Sequence, residues 1–491
     1  MTDGQAFLGI DVGTESVRAL IVDAHGRRLA AAASPLRTSF PRPGYAEQDP
    51  EEVWAALIGA TLEARLTVRE PIVALALATT SVTLVTSDVE GAPTGPAILW
   101  MDTRSTAEAE QITRTGHPAL WYTGGRVSPE WMLPKALWLA RHEPARYADA
   151  DRIVELHDWL VHRLTGVWTA GLGLTCSGWS YVPERGGWPV DLLADLGLEH
   201  ARGGWPDTPG APHAPVGPIR PAAAELCDLT AGTLVAHGTM DSYAAALSCG
   251  VLTRGRLAVS LGSSSCYLAE IDVPRADPRL LGPVPDAFEP GRYGIQGGQT
   301  SSGSVVRWFR TQFAADASFA ELDAEAARWP IGAGGVRAIE TFQGSRTPHR
   351  DPSRRGALYG LNLAHERGAV YRALLEAVAV GGRLIVDAMR ESCPVESVAA
   401  CGGATRSPLW MQMHADALGV PLETIDEPDA AALGAAVAAA TCAGIYPDLD
   451  TAAASMTQLG TLYTPDPEAA EEYAGLLRDY VATGDALAAL R

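Results

Sequence analysis

A strand, a polar turn carrying a glycine and a second strand occur twice in this chain, about 250 residues apart. The first copy runs Phe7-Leu-Gly-Ile10, Asp11-Val-Gly-Thr-Glu-Ser16, Val17-Arg-Ala-Leu-Ile-Val22. The second runs Leu257-Ala-Val-Ser-Leu261, Gly262-Ser-Ser-Ser265, Cys266-Tyr-Leu-Ala-Glu270. The repeat predicts two lobes built on one design. Hairpins with glycine turns are common, so two unrelated hairpins is the competing reading. The 491 residues are roughly three times the usual domain size, which favours two lobes over one. Two glycines and a basic pair interrupt the pattern at residues 250–255, which divides the chain into 1–250 and 251–491.

Between the hairpins strand-like and helix-like stretches alternate, the α/β pattern. Residues 50–66 have helical spacing, 72–78 and 83–86 read as buried strand, and 129–142 and 148–164 read as two amphipathic helices. A Pro- and Gly-rich stretch at 203–221 reads as a surface loop. A strand at 233–236 runs into His237-Gly-Thr-Met-Asp241 and a helix of small residues at 242–249. In the second half, 370–389 and 408–418 read as helices and 397–400 and 420–425 as strands. The strand at 397–400 meets Cys401-Gly-Gly-Ala-Thr405, and an Ala-rich helix follows Asp429.

Composition excludes several classes. Hydrophobic residues at 47% and charged residues at 20% are ordinary for a globular protein. With 38 basic against 58 acidic residues the formal charge is −20, which argues against nucleic acid or an anionic membrane as partner. An anionic ligand would need positive potential supplied locally, by helix N-termini, backbone N–H groups or Mg²⁺. The seven cysteines are scattered without a C-x-x-C spacing, so neither a disulfide framework nor a zinc site is expected. The N-terminal residues carry no basic segment followed by an apolar one, and the Ala-rich run at 430–440 is too short to span a bilayer; a cytoplasmic protein is expected.

Four short segments could carry chemistry. Asp11-Val-Gly-Thr14 puts a carboxylate, a glycine and a hydroxyl on one turn, where backbone N–H groups can approach phosphate oxygens and the carboxylate can hold Mg²⁺; a plain β-turn also suits these residues. Gly262-Ser-Ser-Ser265 is a second turn of small residues that exposes main-chain donors. Gly402 and Gly403 could lie against a nucleotide or form an ordinary left-handed turn. Asp241, between a strand and a helix, could take the proton of a hydroxyl attacking a γ-phosphate, or could cap the helix. The P-loop and protein-kinase motifs are missing, as are H-E-x-x-H and G-x-S-x-G.

The order of these segments resembles that of the FGGY carbohydrate kinases over nearly the whole chain. Gly9-Ile-Asp-Val-Gly-Thr-Glu-Ser-Val-Arg18 looks like the family's first phosphate turn, and Tyr45-Ala-Glu-Gln-Asp-Pro50 and Ile98-Leu-Trp-Met-Asp-Thr-Arg104 like the segments that follow it. Pro134-Lys-Ala-Leu-Trp138 and Asp158-Trp-Leu-Val-His-Arg-Leu-Thr-Gly166 also fit the family. His237-Gly-Thr-Met-Asp241 resembles the segment bearing the catalytic aspartate. Gly356-Ala-Leu-Tyr-Gly-Leu361 with Tyr371-Arg-Ala-Leu-Leu-Glu376 resembles the C-terminal signature, with Ala369 where a polar residue is usual.

The resemblance implies a two-lobed α/β fold of the actin, hexokinase and Hsp70 type, made of duplicated ribonuclease H-like domains with a cleft between them. It implies ATP and Mg²⁺ as cofactors and a small sugar or polyol as the partner, with no nucleic acid and no membrane; oligomeric state, a homodimer included, is left open. Gly13, Thr14, Ser16 and Arg18 with Gly262, Ser263 and Ser264 would face the phosphates, and Gly402, Gly403 and Ala404 the adenosine. Asp11 and Asp241 would share the Mg²⁺ region, with Asp241 as base. Ser81, Asp102, Trp131, Asp241 and Gln299 are the acceptor-pocket candidates; an internal salt bridge competes for Asp102, core packing for Trp131, and Lys135 is expected to support the fold.

Segments 79–85 and 128–135 are similar to those of ribulokinases, and 299–303 followed by Trp308-Phe309 resembles ribulokinases and ribitol kinases, which favours a pentulose. Gly178 stands where those relatives usually carry lysine, which keeps ribitol, another polyol or an unusual ketose in view. A xylulokinase, a catalytically weak sugar sensor and an assembly ATPase are the remaining alternatives.

Overall fold

The computed structural model describes residues 4–490. Ala6–Val12 and Ser16–Asp23 pair antiparallel along their length, Ala6 opposite Asp23 and Val12 opposite Val17. Every residue of Ala6–Val12 is buried, so the strand is covered on both faces, as the apolar run at 6–10 requires. The first sheet runs Arg28–Pro35, Ser16–Asp23, Ala6–Val12, Ile72–Thr79, Leu234–Ala236, Pro215–Pro218, with Thr239–Met240 pairing to the far end of Ile72–Thr79. The second runs Leu281–Pro285, Tyr293–Gln299, Ser265–Ile271, Arg256–Leu261, Ser397–Cys401, Leu422–Ile425, Leu459–Tyr463. In both sheets the first strand of the hairpin pairs on its other side with a parallel strand, Ile72–Thr79 in one and Ser397–Cys401 in the other. The repeated pattern in the sequence is thus a repeated topology.

Alternation along the second hairpin sorts its side chains between the lobes. Leu257, Val259, Leu261 and Tyr267 enter the second core, while Ala258, Cys266 and Leu268 face the first. Two helices of small residues, Asp241–Ser248 and Ala430–Cys442, pack against one another where the lobes meet. Their contact is close: a Cβ on Gly434 would lie 1.7 Å from the Ala244 carbonyl oxygen, and one on Gly9 would lie 1.8 Å from that of Ala432. Glycine is required at both positions because backbone occupies the space of a side chain. Residues 430–456 therefore belong to the first core although they follow the division at 250.

Two segments differ from expectation. Residues 148–164 are not one helix: Arg152–Glu155 is a strand paired with Leu84–Ser87, and the helix begins only at Leu156. The β-branched Ile153 and Val154 suit a pleated surface, and pairing across the chain decides the outcome. Within 203–221, Pro215–Pro218 adds an edge strand to the first sheet, a position where proline's missing donor does no harm. No helix among the described residues is long and apolar enough to cross a membrane.

Candidate active site

The register of the first sheet brings Asp11 and Asp241 to one end. Asp11 lies opposite Ala78 on one side, and Thr239 lies opposite Ala78 on the other. Thr239 is thus two strand spacings, about 10 Å, from Asp11, and Asp241 follows two residues later. It occupies the first position of the Asp241–Ser248 helix rather than its cap, which is Met240. Its carboxylate accepts from the Ser242 N–H at 2.6 Å. Burial, then the charge of Asp11, pushes Asp241 up to about 7. The Asp11 carboxylate is raised to about 6 by burial against the opposing pull of Arg18. Arg18 donates to Oδ2 of Asp11 at 3.0 Å, while Oδ1 is buried with no hydrogen-bond partner.

The first turn is braced from behind. Gly13 N–H reaches the Ser16 carbonyl at 3.0 Å, Gln48 donates to the Thr14 carbonyl at 2.8 Å, and the Trp100 indole N–H donates to Thr14 Oγ1 at 3.0 Å. Among the described residues the backbone N–H groups of Thr14 and Glu15 have no protein acceptor. The second turn repeats this outcome with other means. Its carbonyls are held by the start of the Gly303–Phe313 helix: Gly262 accepts from Gly303, and Ser263 from Ser302 and Ser304, each at 3.0 Å. The N–H groups of Ser263 and Ser264 have no protein acceptor among the described residues, and Gly262, Ser263 and Ser264 are all exposed. Two turns therefore present unpaired main-chain donors, the requirement for cradling phosphate.

Gly402 has φ +96°, and a Cβ there would lie 2.6 Å from the Leu261 carbonyl oxygen, so this turn is seated against the end of the second hairpin. Gly403 opens a single 3-10 turn with nothing within 4 Å of where its side chain would begin, and Ala404 follows half-buried against the second core. The Ser407 hydroxyl caps the Pro408–Leu418 helix through Trp410 N–H at 3.1 Å.

Of the acceptor candidates, two have their polar groups engaged within the protein. Asp102 is wholly buried; Oδ1 accepts from the Arg104 backbone and Nε, and Oδ2 from Arg104 Nη2 and the Ala46 N–H. Four bonds use the acceptor capacity of a carboxylate, so Asp102 orients Arg104 and the 46–48 segment instead of meeting a ligand. Gln299 points into the second lobe. Its amide donates to Glu340 Oε1 and the Val378 carbonyl at 3.0 Å each, and its oxygen accepts from Ser265 Oγ at 2.8 Å. Ser81 is half-buried in the loop after Ile72–Thr79, and Trp131, also half-buried, caps Met132–His142 and packs on the first core. Gly178 is buried, and a Cβ there would lie 2.8 Å from Glu155 Oε1 and 3.0 Å from Met132 Cγ. A side chain at 178 is thus aimed into a packed junction, at a carboxylate whose two oxygens have no partner and whose pKa burial raises well above the usual range.

Lys135, the single lysine of the chain, is fully buried; its ammonium donates to the Val82 and Leu99 carbonyls at 2.6 Å each and to that of Ile98 at 3.5 Å. It ties the loop bearing Ser81 to the segment bearing Trp100, and Val82 there holds φ +53°, a strained setting for a β-branched residue. No local feature of the sequence assigns Trp100 or Arg346 to the site. Cys266, packed toward the first core, and Gln296 lie on adjoining strands of the second lobe, and nothing local distinguishes them from core positions.

The two carboxylates and the unpaired Asp11 Oδ1 suit Mg²⁺, which binds through one or two carboxylates together with phosphate and water. Among the described residues no group of three or more His, Cys, Asp or Glu could hold a metal without such help.

Two lobes of one topology, each with a turn of unpaired main-chain donors, are the arrangement of a phosphotransferase. Residues 6–248 match the N-terminal domain of the FGGY family of carbohydrate kinases and residues 257–443 its C-terminal domain. The chain belongs to this family, whose members transfer phosphate from ATP to an alcohol group of a sugar or polyol. It is 31% identical to a ribulokinase of Mycolicibacterium smegmatis over 97% of this chain and 93% of that protein. It is 29% identical to an FGGY carbohydrate kinase domain-containing protein of Homo sapiens over 94% of this chain and 92% of that one. The crystal structure of a xylulose kinase from Rhodospirillum rubrum superposes with a TM-score of 0.86 at 29% identity, covering 99% of both chains. The fold is accordingly the two-lobed actin/hexokinase-like ATPase fold.

Proposed function

We propose that the protein phosphorylates a hydroxyl of a pentulose of the ribulose type, with Mg-ATP in the interlobe cleft and Asp241 as general base. The observation that carries this reading is that the first sheet brings Asp11 and Asp241 to one end, while the turn after Asp11 and its counterpart in the second lobe each carry unpaired N–H donors. In the reaction the acceptor oxygen forms a bond to the γ-phosphorus as the bridging oxygen leaves with ADP, and the acceptor proton passes to an Asp241 oxygen. A base held near 7 can exist as the carboxylate at neutral pH and still accept a proton. Thr14, Glu15, Ser263 and Ser264 N–H groups would hold the phosphate chain, and Gly403, open on one side, would border the adenosine. Bound Mg²⁺ would neutralise charge on the phosphates beside Asp11 and Asp241.

Ribulokinase and xylulose kinase relatives stand at comparable identity, so the pentulose reading leans on the segments at 79–85, 128–135 and 299–303. Gly178 supports a second reading, a pentitol such as ribitol, since the usual lysine is missing beside an unpaired Glu155. The test is ADP release from Mg-ATP with D-ribulose, L-ribulose, D-xylulose and ribitol. Turnover dependent on a ribulose supports the first reading, turnover on ribitol alone the second, turnover on D-xylulose alone contradicts both, and turnover without any acceptor defeats both.

A further inference from the structure

We propose that Arg346 binds the acceptor, its guanidinium donating to the acceptor's hydroxyl oxygens. This rests on the reading above, that a small polyhydroxylated molecule is phosphorylated in the cleft, and it adds a residue to that site.

The backbone fixes where Arg346 stands. Its neighbour Thr347 donates from N–H to the Gly298 carbonyl at 3.1 Å and accepts from Gly298 N–H through Oγ1 at 3.1 Å. Gly298 lies opposite Cys266, which sits on the face of the second hairpin turned toward the first lobe. Arg346 is thereby anchored beside that face. The Cys266 thiol, pushed up to about 12 by burial, is drawn down by the Arg346 cation and up by the Asp241 carboxylate, so the two charges approach one residue.

Strand order decides which ligand lies there. The phosphate turn follows Arg256–Leu261, and the Gly402 turn follows the strand next to it, Ser397–Cys401. Tyr293–Gln299, with Arg346 beside it, lies on the opposite side of the hairpin. A nucleotide running from the phosphate turn to Gly403 leaves Arg346 on the acceptor's side. Arg346 is half-buried, and among the described residues no hydrogen bond or ion pair reaches its guanidinium. Nearby Arg354 pairs with Asp351 and Asp485, and Arg355 donates to the Pro352 and Arg354 carbonyls. A partly desolvated guanidinium without a partner is a fork of donors that vicinal hydroxyls can fill.

Steady-state kinetics of parent, Arg346→Lys and Arg346→Met, with D-ribulose, L-ribulose, D-xylulose and ribitol as acceptors, test this. Arg346→Met should raise acceptor KM roughly tenfold or more, the range for losing a hydrogen bond to a charged group, with Arg346→Lys between it and the parent. KM for ATP and the melting temperature should stay at parental values. An unchanged acceptor KM overturns the proposal, as does a raised KM for ATP or a lowered melting temperature accompanying equal losses for both substrates. A parent that phosphorylates none of the acceptors would instead defeat the functional reading, and this inference with it.

Discussion

The two turns do the same thing to backbone and the opposite thing to charge. Each leaves two N–H groups unpaired by engaging its other polar groups from behind. The first is framed by buried carboxylates, Asp11 within its strand and Asp241 across the sheet, whereas the second has only hydroxyls and an exposed Arg307 that donates to Ser263 Oγ at 2.9 Å. Main-chain donors are thus common to both lobes, while the groups that take a proton or attract a cation belong to the first lobe alone. A lobe that supplies donors without carboxylates can approach and leave the phosphates without carrying the base away from the acceptor.

Removing the base breaks the comparison most severely. Asp241→Asn should lower kcat by about 10²–10⁴, the usual contribution of a general base, with ATP and acceptor binding retained by calorimetry. The same change should stabilise the ligand-free protein. Asp11 and Asp241 have folded pKa values raised above the ordinary carboxylate range, so the folded state binds protons more tightly than the unfolded one. Their favourable contribution is present at low pH and is lost as pH rises through about 6 to 7. Asp241→Asn should therefore raise the melting temperature at pH 8 and change it less at pH 4; a lowered value at pH 8 would contradict the assigned burial.

The pH profile tests the same asymmetry. With Asp241 near 7 in the free enzyme, kcat/KM should fall about tenfold per unit as pH drops below that value. A profile flat from pH 5 to 8 would remove Asp241 as the titrating base. On the second lobe, where no carboxylate is at stake, effects should be confined to nucleotide binding. Gly403→Arg places a long side chain in open space beside the proposed adenosine site, and KM for ATP should rise about tenfold with acceptor KM unchanged, a loss of about 1.4 kcal/mol. Unchanged ATP affinity would displace the adenosine from that turn.

How much of this was legible follows from whether the deciding interaction is local. Both hairpins, the Pro408–Leu418 helix and the glycine turn at 402 are set by residues adjacent in sequence, and periodicity and turn chemistry found them. Asp102 and Gln299 looked like pocket residues because both are polar beside recognisable motifs. Asp102 is held mainly by Arg104, two residues on, the salt bridge that its sequence also allows, whereas the partners of Gln299, Glu340 and Val378, come from distant chain. The strand at 152–155 was hidden in a helical pattern because Leu84–Ser87 supplies its pairing. Arg346 gave no signal at all, since its position depends on a bond pair to Gly298 across two segments.

The smallest expected effect tells whether the turns' bracing matters equally. Trp100 donates to Thr14 Oγ1 from a half-buried position, and Lys135 holds the carbonyl of the residue before it, so the first brace is tied to the lobe's interior. Arg307 reaches Ser263 from solvent, where water competes for the same donor. A typical hydrogen bond contributes about 1 kcal/mol net and an exposed one less, so Trp100→Phe should lower kcat/KM for ATP about fivefold and Arg307→Met less than twofold. If the two losses prove equal, the second turn depends on its side-chain brace as much as the first does. The helix start at Ser302 to Ser304 would then be insufficient to hold it, and the mobility assigned to the second lobe's donors would have to be given up.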